Sequence, residues 1–523
     1  MSHRPLSVAV VDAAGASACD AAAIGAGIPS RALMQRAGAA AAAEIASRCA
    51  DRLASGVVVA TGPGNNGGDG WVVAHALHAA GVRVRVVECA PALTADARAE
   101  REQARAAGVH ATGRIDDLIS GGESVVVDAV LGTGLSADGS LRGDIALAVE
   151  RLHWLANRGA TLVALDVPTG LVASTGRSAG GLHCALTITF GTIKRGHLVA
   201  REACGTIVVV DIGLGVHARA AAERSRLASP AWFAASLPRI PADAHKGTRK
   251  KIAIVGGAQG MAGAVVLAAR AALRSGAGLV RCVVAPESLP AIQESEPAAL
   301  GATWPQDDAE LAALVGWPDA MLIGPGLGGE ARELVTRLLG AWDGPVVLDA
   351  DALNAFAGDS AALHALVGAR ATLLTPHPAE FGRLTNLDVD AVLAGRFDLP
   401  GQLAVDTGAA VLLKGVPTVV ASPGAATTHV VAEGTPVLAT GGAGDLLGGI
   451  AVTLLAQCGD AALAGALAAF AHGRAAAAVS ETQVRGYTLD DVMHTLPTVW
   501  ALVAAPPRPP VLAELPATGE PAR

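Results

Sequence analysis

The chain has 523 residues, of which 51% are hydrophobic and only 3% aromatic, and glycine alone contributes 63. This length is sufficient for two or three domains with large buried cores. The net charge is −8 without any block of basic residues, so binding to nucleic acid has no electrostatic support. Seven cysteines are scattered without a CxxC pair, which argues against a zinc site or a disulfide framework and favours reduced core thiols.

Two apolar stretches resemble targeting or membrane segments only superficially. The run that starts at Leu6 is interrupted by Asp12, so we expect no signal peptide. The long apolar stretch near residue 470 contains His472 and Arg474 and is mostly alanine, which favours a packed helix over a membrane span. We therefore expect a cytoplasmic protein that binds neither a membrane nor nucleic acid.

The first half opens with two predicted helices within residues 11–50, broken at 27–29. A buried strand at 57–60 then leads into the glycine-rich sequence TGPGNNGGDG at 61–70, and a helix is predicted from residue 71 to 80. A strand, a glycine-rich loop and a helix in this order are typical of phosphate loops in α/β folds. The loop is neither GxGxxG nor a Walker A motif, because no lysine ends it.

Acidic residues end two of the strands that follow. Strands are predicted at 124–128 and 161–166, and they end in Asp128 and Asp166; glycine turns follow at 129–134 and 167–170. Further elements are predicted as strands at 82–87, 186–190 and 207–211 and as a helix at 95–107. Because the carboxyl ends of parallel strands share one edge of a sheet, the two acids and the glycine loops predict a ligand cleft there.

Over about residues 10–215 the chain resembles the YjeF N-terminal family, the NAD(P)H-hydrate epimerases. The matching motifs are GxGNNGGDG at 62–70, DAxLGTG at 128–134, DVPxG at 166–170 and FGxxKxG at 190–196. The resemblance implies that a hydrated nicotinamide dinucleotide is lined by Asn65, Asn66, Gly67, Gly68, Asp69, Gly132, Thr133, Gly134, Leu135, Ser136, Ala137 and Asp138. It also implies that Asp166 binds the reacting end, and Asp166 is our candidate for proton transfer. A potassium ion is implied at Asn66, Asp128 and Thr169; the family usually has Ser at this last position.

Residues 216–245 are rich in Ala and Arg and then interrupted by prolines, which predicts a joint between domains. Beyond it, strands are predicted at 252–255, 279–284, 320–323, 346–349, 372–375, 411–413 and 429–432, and a helix at 265–275. The last glycine cluster, at 440–445, ends in Asp445 and precedes an apolar segment of helical length at 446–458. Free N–H groups and the helix dipole there favour an anion. A carboxylate in that setting suits removal of a proton from a hydroxyl as a phosphoryl group arrives.

Other polar residues at the strand ends have structural interpretations when each is taken alone. His377 lies between prolines and is typical of a rigid turn, Asp349 and Asp351 are typical helix caps, and Lys414 could extend to the surface. Their combination at one sheet edge, together with two glycine loops, favours a catalytic site.

The GxGD sequence ahead of a helix resembles the ribokinase-like superfamily, and residues 240–500 resemble its ADP-dependent NAD(P)H-hydrate dehydratases. The matching motifs are HKG at 245–247, GGxxGMxGA at 256–264, ALRSGAGLV at 272–280, GPGLG at 324–328, LDADALN at 348–354, LTPHPAEF at 374–381, VLLKG at 411–415 and ATGGAGDLLGGI at 439–450. Thr248 and Arg249 depart from the family, which commonly continues HKG with an aromatic residue or Asp and then Gly. The resemblance implies Asp445 as catalytic base and substrate contact, Ala264, Gly326 and His377 as further substrate contacts, and Lys414, Gly415, Val416, Pro417, Thr418 and Gly444 as nucleotide contacts.

We therefore predict an α/β protein of two domains: a Rossmann-like three-layer sandwich at 1–218 and a ribokinase-like three-layer sandwich at 230–505. Residues 506–523 are rich in proline and are predicted to be a flexible tail. The implied enzyme is an isomerase that interconverts R- and S-NAD(P)HX, the hydrates of NADH and NADPH, and a lyase that dehydrates the S form. The lyase consumes ADP, which yields AMP and phosphate, because phosphorylation turns a poor hydroxide leaving group into phosphate. We expect Mg²⁺ in the second domain, K⁺ in the first, and a homo-oligomer.

One alternative remains, a small-molecule kinase of ribokinase-like fold fused to a non-catalytic Rossmann-like binding or scaffold module. The GGxxGMxGA and TPHPAEF motifs argue against a kinase, and the presence of both Asp128 and Asp166 argues against a scaffold. The sequence leaves open whether ADP or ATP is the donor and which of the two hydrates is preferred.

Overall fold

The computed structural model describes residues 8–136, 138–220, 224–329, 331–480, 485–502 and 508–518. The chain divides into two compact units, and the division falls between Ser225 and Arg226, inside the segment that was predicted to join the domains. The first unit also takes in the described residues 508–518 near the carboxyl terminus.

The first unit alternates short strands with helices. In chain order its elements are β1 (Ala9–Val11), α1 (Ala13–Gly25), α2 (Ser30–Arg48), β2 (Val57–Thr61), α3 (Asn65–Ala79), β3 (Val84–Glu88), α4 (Ala95–Ala106), β4 (His110–Thr112), β5 (Val125–Ala129), α5 (Gly143–Asn157), β6 (Thr161–Leu165), β7 (Leu186–Phe190), β8 (Thr192–Lys194), α6 (Arg195–Val199), α7 (Arg201–Cys204), β9 (Thr206–Val210) and α8 (His217–Ala220). Strand β10 (Ser225–Leu227) contains the division between the units.

The second unit has the same alternation over a longer sheet. Its elements are α9 (Pro230–Ser236), β11 (Lys251–Val255), α10 (Ala262–Arg274), β12 (Leu279–Val284), α11 (Leu289–Ser295), β13 (Leu300–Thr303), α12 (Asp308–Val315), β14 (Ala320–Ile323), α13 (Ala331–Ala341), β15 (Val346–Leu348), α14 (Asp351–Asn354), α15 (Ser360–Val367), β16 (Thr372–Leu374), α16 (Pro378–Thr385), α17 (Val389–Ala394), α18 (Leu399–Thr407), β17 (Ala410–Leu413), β18 (Thr418–Ala421), β19 (Thr428–Val431), α19 (Ala443–Cys458), α20 (Ala461–Ser480) and α21 (Leu489–Trp500). The last strand of the chain is β20 (Val511–Leu515), and short 3₁₀ turns occur at Leu53–Ser55, Ile115–Ile119, Pro286–Ser288 and Pro436–Leu438.

The sheet of the first unit has the strand order β20-β9-β7-β6-β5-β2-β3-β4, and every pairing in it except β20 with β9 is parallel. Successive side chains of a strand point to opposite faces. Val57 and Val59 accordingly join a core formed with α2 and α3, whereas Val58 and Ala60 join a second core formed with α5. Helices therefore cover both faces, as parallel sheets require, and the unit is a three-layer sandwich.

The sheet of the second unit runs β13-β12-β11-β14-β15-β16-β17-β18-β19. It is parallel from β13 to β17 and antiparallel from β17 to β19. Ile252 and Ile254 of β11 pack with α10, α19 and α20 on one face, and Ala253 and Val255 pack on the other face with α13 and neighbouring helices. The predicted fold class, two α/β three-layer sandwiches, is confirmed.

Helix α20 is the apolar stretch near residue 470. Among the described residues it is the one helix that is long and apolar enough to cross a membrane by length and composition alone. Its most apolar window is 78% buried within the protein, and residues such as Leu467 and Phe470 belong to the core of the second unit. The helix thus packs against the sheet, as predicted.

The prediction that residues 506–523 form a flexible tail is wrong for the described part, 508–518. Strand β20 pairs antiparallel with β9, the backbone N–H of Asp211 donates to Pro510 (2.7 Å), and Glu514 accepts two hydrogen bonds from Arg48. The prolines suggested a tail, but burial alternates along this segment, since the side chains of Ala513 and Leu515 are buried and Glu514 between them is exposed. Such alternation is the pattern of a half-buried strand.

Candidate functional site

The first site begins at the NNGGD sequence after β2. It was predicted as a loop followed by a helix from residue 71, but α3 already begins at Asn65, so these residues form its first turns. Glycine leaves room for this helix start to pack closely, because a Cβ on Gly67 would lie 2.1 Å from the carbonyl oxygen of Gly62. Gly68 is similarly enclosed, since a Cβ there would lie 2.6 Å from Met34 Sδ. The close approach of backbone to backbone explains why only glycine fits at Gly67, whereas at Gly68 the flexible end of the Met34 side chain would have to move.

A cavity of about 490 Å³ opens beside this helix start. The predicted residues that line it are Asn65, Asn66, Asp69, Gly132, Thr133, Gly134 and Asp166. Four other predicted contacts, Gly67, Gly68, Leu135 and Ser136, are not part of the lining formed by the described residues. Asp138 is not part of it either; it is exposed and bonded to Ser136 and Ser140, which lower the pKa of its carboxyl to about 2. Ala137 lies outside the described residues.

Asp166 follows β6 with a φ of 61°, a conformation that is strained for a residue with a side chain. Its Oδ1 accepts hydrogen bonds from Lys194 Nζ and from Thr189 Oγ1 (3.0 Å). Burial raises the pKa of the Asp166 carboxyl, but the Lys194 ammonium lowers it by more, so its pKa lies below the usual value. Asp166 is therefore ionised at neutral pH although it is largely buried.

Two other acids of the same cavity, Asp69 and Asp20, have raised pKa values. Burial, reinforced by Asp166 and then Asp20, raises the pKa of Asp69 well above its usual value. Asp20 on α1 also lines the cavity, and burial raises the pKa of its carboxyl. Asp20 was not predicted from the sequence, because a lone acid in an alanine-rich helix has no local pattern that marks it as a functional residue.

The residues predicted to hold potassium lie in the first turn of α3 (Asn66), at the end of β5 (Asp128) and in the turn after β6 (Thr169). The carboxylate of Asp128 is completely buried and accepts hydrogen bonds from Thr169 Oγ1 (2.7 Å), Thr169 N (2.8 Å) and Val130 N (3.2 Å). Burial raises the pKa of Asp128 to about 6. Both polar atoms of the Asn66 amide are buried without a hydrogen-bond partner in the described part of the chain. Buried amide groups seldom stay unpaired, so Asn66 has room for a ligand.

The second site is built around Lys414, at the end of β17. Its Nζ lies 2.8 Å from Oδ1 of Asp349, which follows β15, and 3.6 Å from Oε2 of Glu380 in α16. Burial lowers the pKa of Lys414, but Asp349 and Glu380 more than offset this, so its pKa is raised. Three strand ends thus bring a lysine and two buried carboxylates together, as expected at the carboxyl edge of a parallel sheet.

Asp445 lies in the first turn of α19, which follows Gly442 with its φ of 91°. Burial and the neighbouring charge of Asp349 raise the pKa of Asp445 to about 7, against the opposing charge of Lys414. Gly444 lies beside Lys414 and Asp349, because a Cβ on it would lie 3.4 Å from Lys414 Nζ and 3.8 Å from Asp349 Oδ2. A carboxyl with this pKa can accept or hold a proton near neutral pH.

His377 caps the amino end of α16. Its Nδ1 accepts hydrogen bonds from the backbone N–H groups of Ala379 (3.1 Å) and Glu380 (3.3 Å), and its Nε2 lies 3.3 Å from Glu380 Oε1. Burial lowers the pKa of His377. His377 therefore has a structural role in a turn, as its flanking prolines suggested. Its ring is half-exposed and lies beside the buried Glu380. Glu380 was missed, although its position three residues after a capping residue is a recognisable signal.

The remaining predicted residues occupy two loops. Gly326, with a φ of 57°, adjoins Ala264, because a Cβ on Gly326 would lie 3.4 Å from the Cβ of Ala264. Predicted nucleotide contacts 414–418 connect β17 to β18, where Thr418 Oγ1 donates to the carbonyl of Gly415 (2.7 Å) and Val416 is exposed. Asp351 has a supporting role, since its Oδ2 accepts a hydrogen bond from Gly328 N (2.9 Å).

Two family models match the chain. One, described as YjeF-related protein N-terminus, matches residues 30–196, and the other, described as NAD(P)H-hydrate dehydratase, matches residues 252–498. Full-length relatives include the bifunctional NAD(P)H-hydrate repair enzymes of Salinibacter ruber, 37% identical over 91% of this chain and 93% of that one, and of Escherichia coli, 34% identical over 84% of each. The enzyme of Thermanaerovibrio acidaminovorans is 36% identical over 87% of this chain and 91% of its own.

Two solved structures are each similar to about half of the chain. A ribokinase-like superfamily protein from Enterococcus faecalis is 24% identical, with a TM-score of 0.48 over 53% of this chain and 95% of that one. The ADP/ATP-dependent NAD(P)H-hydrate dehydratase from Bacillus subtilis, crystallised with ATP/Mg²⁺, is 27% identical, with a TM-score of 0.45 over 52% of this chain and 96% of that one.

Two parallel sheets, each with acids and glycine turns at its carboxyl edge, define an enzyme that acts on nucleotide-like small molecules. The relatives that match nearly the whole chain make the identification specific. The chain belongs to the family of bifunctional NAD(P)H-hydrate repair enzymes, with an epimerase domain followed by a dehydratase domain. The predicted family and its pair of activities, isomerase and lyase, are confirmed.

Proposed function

We propose that the second unit dehydrates S-NAD(P)HX with ADP as phosphoryl donor and Asp445 as the base. The observation that carries this proposal is the pKa of Asp445, raised to about 7 by burial and by Asp349, at the start of a helix, where the helix dipole favours an anion. At neutral pH an appreciable share of Asp445 is ionised and can take the proton of the substrate hydroxyl. The hydroxyl oxygen then attacks the terminal phosphoryl group, and phosphate later leaves from the ring.

The nucleotide is held by the segment Lys414, Gly415, Val416, Pro417 and Thr418 together with Gly444. Lys414 brings a positive charge to the phosphates, and the N–H groups of Gly441, Gly442 and Gly444 stabilise charge on the transferring oxygens. The substrate contacts proposed are Ala264, Gly326 and His377, which belong to the adjoining loops.

The donor chemistry of this site fits Mg²⁺. Protein-bound Mg²⁺ commonly uses one or two carboxylates together with substrate phosphates, and no larger cage of three His, Cys, Asp or Glu groups occurs among the described residues. The nearby carboxylates of Asp349, Glu380 and Asp445 supply such ligands. When bound, the ion would neutralise charge on the phosphates.

The decisive measurement is the recovery of NAD(P)H, followed by absorbance, from a mixture of both hydrate epimers with Mg²⁺ and either ADP or ATP. We expect full recovery with the native chain and at least a hundredfold slower recovery with Asp445→Asn. A stable phosphorylated product in place of NAD(P)H would support the kinase instead. An Asp445→Asn variant with native rates would reject Asp445 as the base. Comparing the two nucleotides identifies the donor.

For the first unit we propose that the cavity binds NAD(P)HX and that Asp166 transfers a proton to or from its reacting end. The cavity volume, the ionised state of Asp166 and the adjoining loop residues support this. With Asp166→Asn we expect the S epimer to be consumed and NAD(P)H recovery to stop at the share of that epimer. Native recovery by that variant would contradict the proposal.

Potassium at Asn66, Asp128 and Thr169 is the second part of this proposal. These residues present amide, carboxylate and hydroxyl oxygens, which suit a hard monovalent cation, and the unpaired Asn66 amide is consistent with a ligand there. The cation would supply positive charge beside the buried Asp128. Epimerase turnover should rise with K⁺ at constant ionic strength set with a bulky organic cation, and turnover independent of K⁺ would remove it from the proposal.

We further propose a cytoplasmic location. Six of the seven cysteines are buried, which suits reduced core thiols in a reducing compartment. The expected homo-oligomer stays a prediction, to be measured by light scattering of the purified chain.

A further inference from the structure

Helix α1 forms one wall of the cavity in the first unit. Its side chains Ala16, Ser17, Asp20 and Ile24 line the cavity, and this spacing corresponds to one face of a helix. The start of α1 is held by Asp12, whose Oδ1 accepts a hydrogen bond from Gly15 N (2.7 Å). Asp20 is thus the ionisable residue on the cavity face of a firmly capped helix, and it precedes the region matched by the epimerase family model, 30–196.

The other ionisable groups that line the cavity with Asp20 are Asp69, Asp96, Asp166 and Lys194, and Asp96 accepts a hydrogen bond from Ser30 Oγ (2.6 Å). Only Asp166 is tied to the ammonium of Lys194; among the described residues none donates a hydrogen bond to the carboxyl of Asp20 or Asp69. Burial holds the pKa of Asp69 well above its usual value, whereas the charges and hydrogen bonds around Asp166 hold its pKa below the usual value. One cavity therefore contains a proton donor and a proton acceptor together, which is the arrangement that acid–base catalysis uses.

Inversion of a carbon that bears a hydroxyl can proceed by loss and return of water. The donor protonates the hydroxyl, the C–O bond breaks as water leaves, and the ring nitrogen supplies the electron pair that forms a C=N bond. Water then adds to the other face, its new C–O bond returns the electron pair to nitrogen, and the acceptor takes the released proton. With Asp69 as donor and Asp166 as acceptor, each inversion moves one proton from Asp69 to Asp166. The next inversion in the same direction requires that proton to return.

We propose that Asp20 is the proton-exchange residue of the epimerase, carrying protons between water and the buried pair Asp69 and Asp166. Asp69 is almost wholly buried, whereas Asp20, although partly enclosed by the cavity, keeps contact with solvent. An unpaired polar group points to a ligand in the same cavity, since the buried Asn66 amide there has no partner within the described residues. This inference rests on the proton-transfer role proposed for Asp166.

The test compares Asp20→Asn, Asp20→Glu and the native full-length chain, starting from the R epimer and following NAD(P)H formation. We expect Asp20→Asn to lower epimerase turnover about tenfold in dilute buffer. Added acetate, at constant pH and ionic strength, should restore it, because a small carboxylic acid can enter the cavity and exchange the proton. Asp20→Glu should keep near-native turnover, since it retains the carboxyl group.

The matched control is Asp51→Asn, which removes one acid from an exposed turn of the same unit and should behave as the native chain with or without acetate. Dehydration of the S epimer by the same variants reports whether the second unit is intact, and urea unfolding of each variant reports whether the first unit is folded. Turnover of Asp20→Asn that is unchanged, or lowered equally at every acetate concentration, would overturn the proposal. Native turnover by Asp166→Asn would overturn the role of Asp166 itself, a result that the Asp20 variants cannot imitate.

Discussion

Lys414 Nζ lies 2.8 Å from Asp349 Oδ1, and this ion pair joins residues 65 positions apart in the chain. Oε2 of Glu380 lies 3.6 Å from the same nitrogen. Because two carboxylates share the lysine, its positive charge only partly offsets the burial and the negative charge that raise the pKa of Asp445. The pair of Lys414 and Asp349 therefore has two consequences. It places a cation where phosphate can bind, and it leaves the nearby Asp445 with a pKa close to neutrality.

The first prediction concerns pH. Asp445 must be ionised to act as a base, and its pKa is raised to about 7, so kcat/KM of the dehydratase should fall as pH decreases through about 7. Asp349→Asn removes the second-largest cause of that shift, and the midpoint should move to lower pH while burial keeps it above the usual value. The check is kcat/KM for S-NAD(P)HX between about pH 5 and 9. A native profile that is flat through pH 7 would assign the proton acceptor elsewhere.

The second prediction contrasts two glycines of the dehydratase site. Gly326→Ala should destabilise the second unit by about 1–2 kcal/mol or more, because Gly326 has a φ of 57° and the new Cβ would lie 2.8 Å from the Cβ of Met261. Gly444→Ala should keep or slightly raise stability, since alanine is the better helix former and the new Cβ meets only the flexible end of Lys414 at 3.4 Å.

The two glycine variants should also differ in catalysis. The methyl group of Gly444→Ala would occupy space beside Lys414 Nζ, so the KM for ADP should rise at least about tenfold while the free energy of unfolding is maintained. Nucleotide titrations and urea unfolding of both variants provide the measurement. An unchanged KM for ADP in Gly444→Ala would show that the nucleotide does not approach this helix start.

The sequence predicted the strand ends well because that information is local. Runs such as 57–60 and 124–128 are apolar and then change to glycine or an acid, and Asp128 and Asp166 occupy the expected edge. The start of α3 at Asn65 could not be read in the same way. Its glycines have low helix propensity, and they are compensated by packing against Gly62 and Met34, which only the folded chain brings together.

Contacts with residues that are distant in the chain explain the other differences between the sequence-based predictions and the structure. Glu380 acquires its importance from Lys414, which belongs to another strand end, and Asp20 acquires its importance from Asp166 and Lys194 across a cavity. Strand β20 requires the exposed edge of β9, which lies about 300 residues earlier in the chain. Each of these is a single residue or short segment whose local pattern is also compatible with ordinary surface structure.

The third prediction concerns the hydrogen bonds of Thr169. Its hydroxyl donates to Asp128 Oδ1 (2.7 Å) and accepts from Leu131 N (2.9 Å), and both contacts are at least partly buried. Thr169→Val keeps the shape of the side chain but leaves Leu131 N unpaired and Asp128 Oδ1 with only its bond from Val130 N, which should cost about 1–3 kcal/mol and raise the pKa of Asp128 further. Thr169→Ser should be nearly neutral. Urea unfolding and the K⁺ concentration for half-maximal epimerase activity are the measurements, and equal values for the Val and Ser variants would contradict the prediction.

The fourth prediction concerns strand β20. Truncation after Ala505 removes the antiparallel partner of β9 and the buried side chains of Ala513 and Leu515. The first unit should lose about 2–4 kcal/mol of stability and gain an exposed edge strand that promotes aggregation. Epimerase activity should therefore decay much faster on heating than dehydratase activity measured on the same truncated chain.

The control for this truncation is Glu514→Gln, which removes only the ion pair between Glu514 and Arg48. Both side chains of that pair are partly exposed, so the substitution should cost at most about 1 kcal/mol and leave the strand in place. If heating inactivated the epimerase equally in the truncated and native chains, β20 would add nothing to the stability of the first unit. If Glu514→Gln behaved like the truncation, the ion pair rather than the strand pairing would hold the carboxyl-terminal segment.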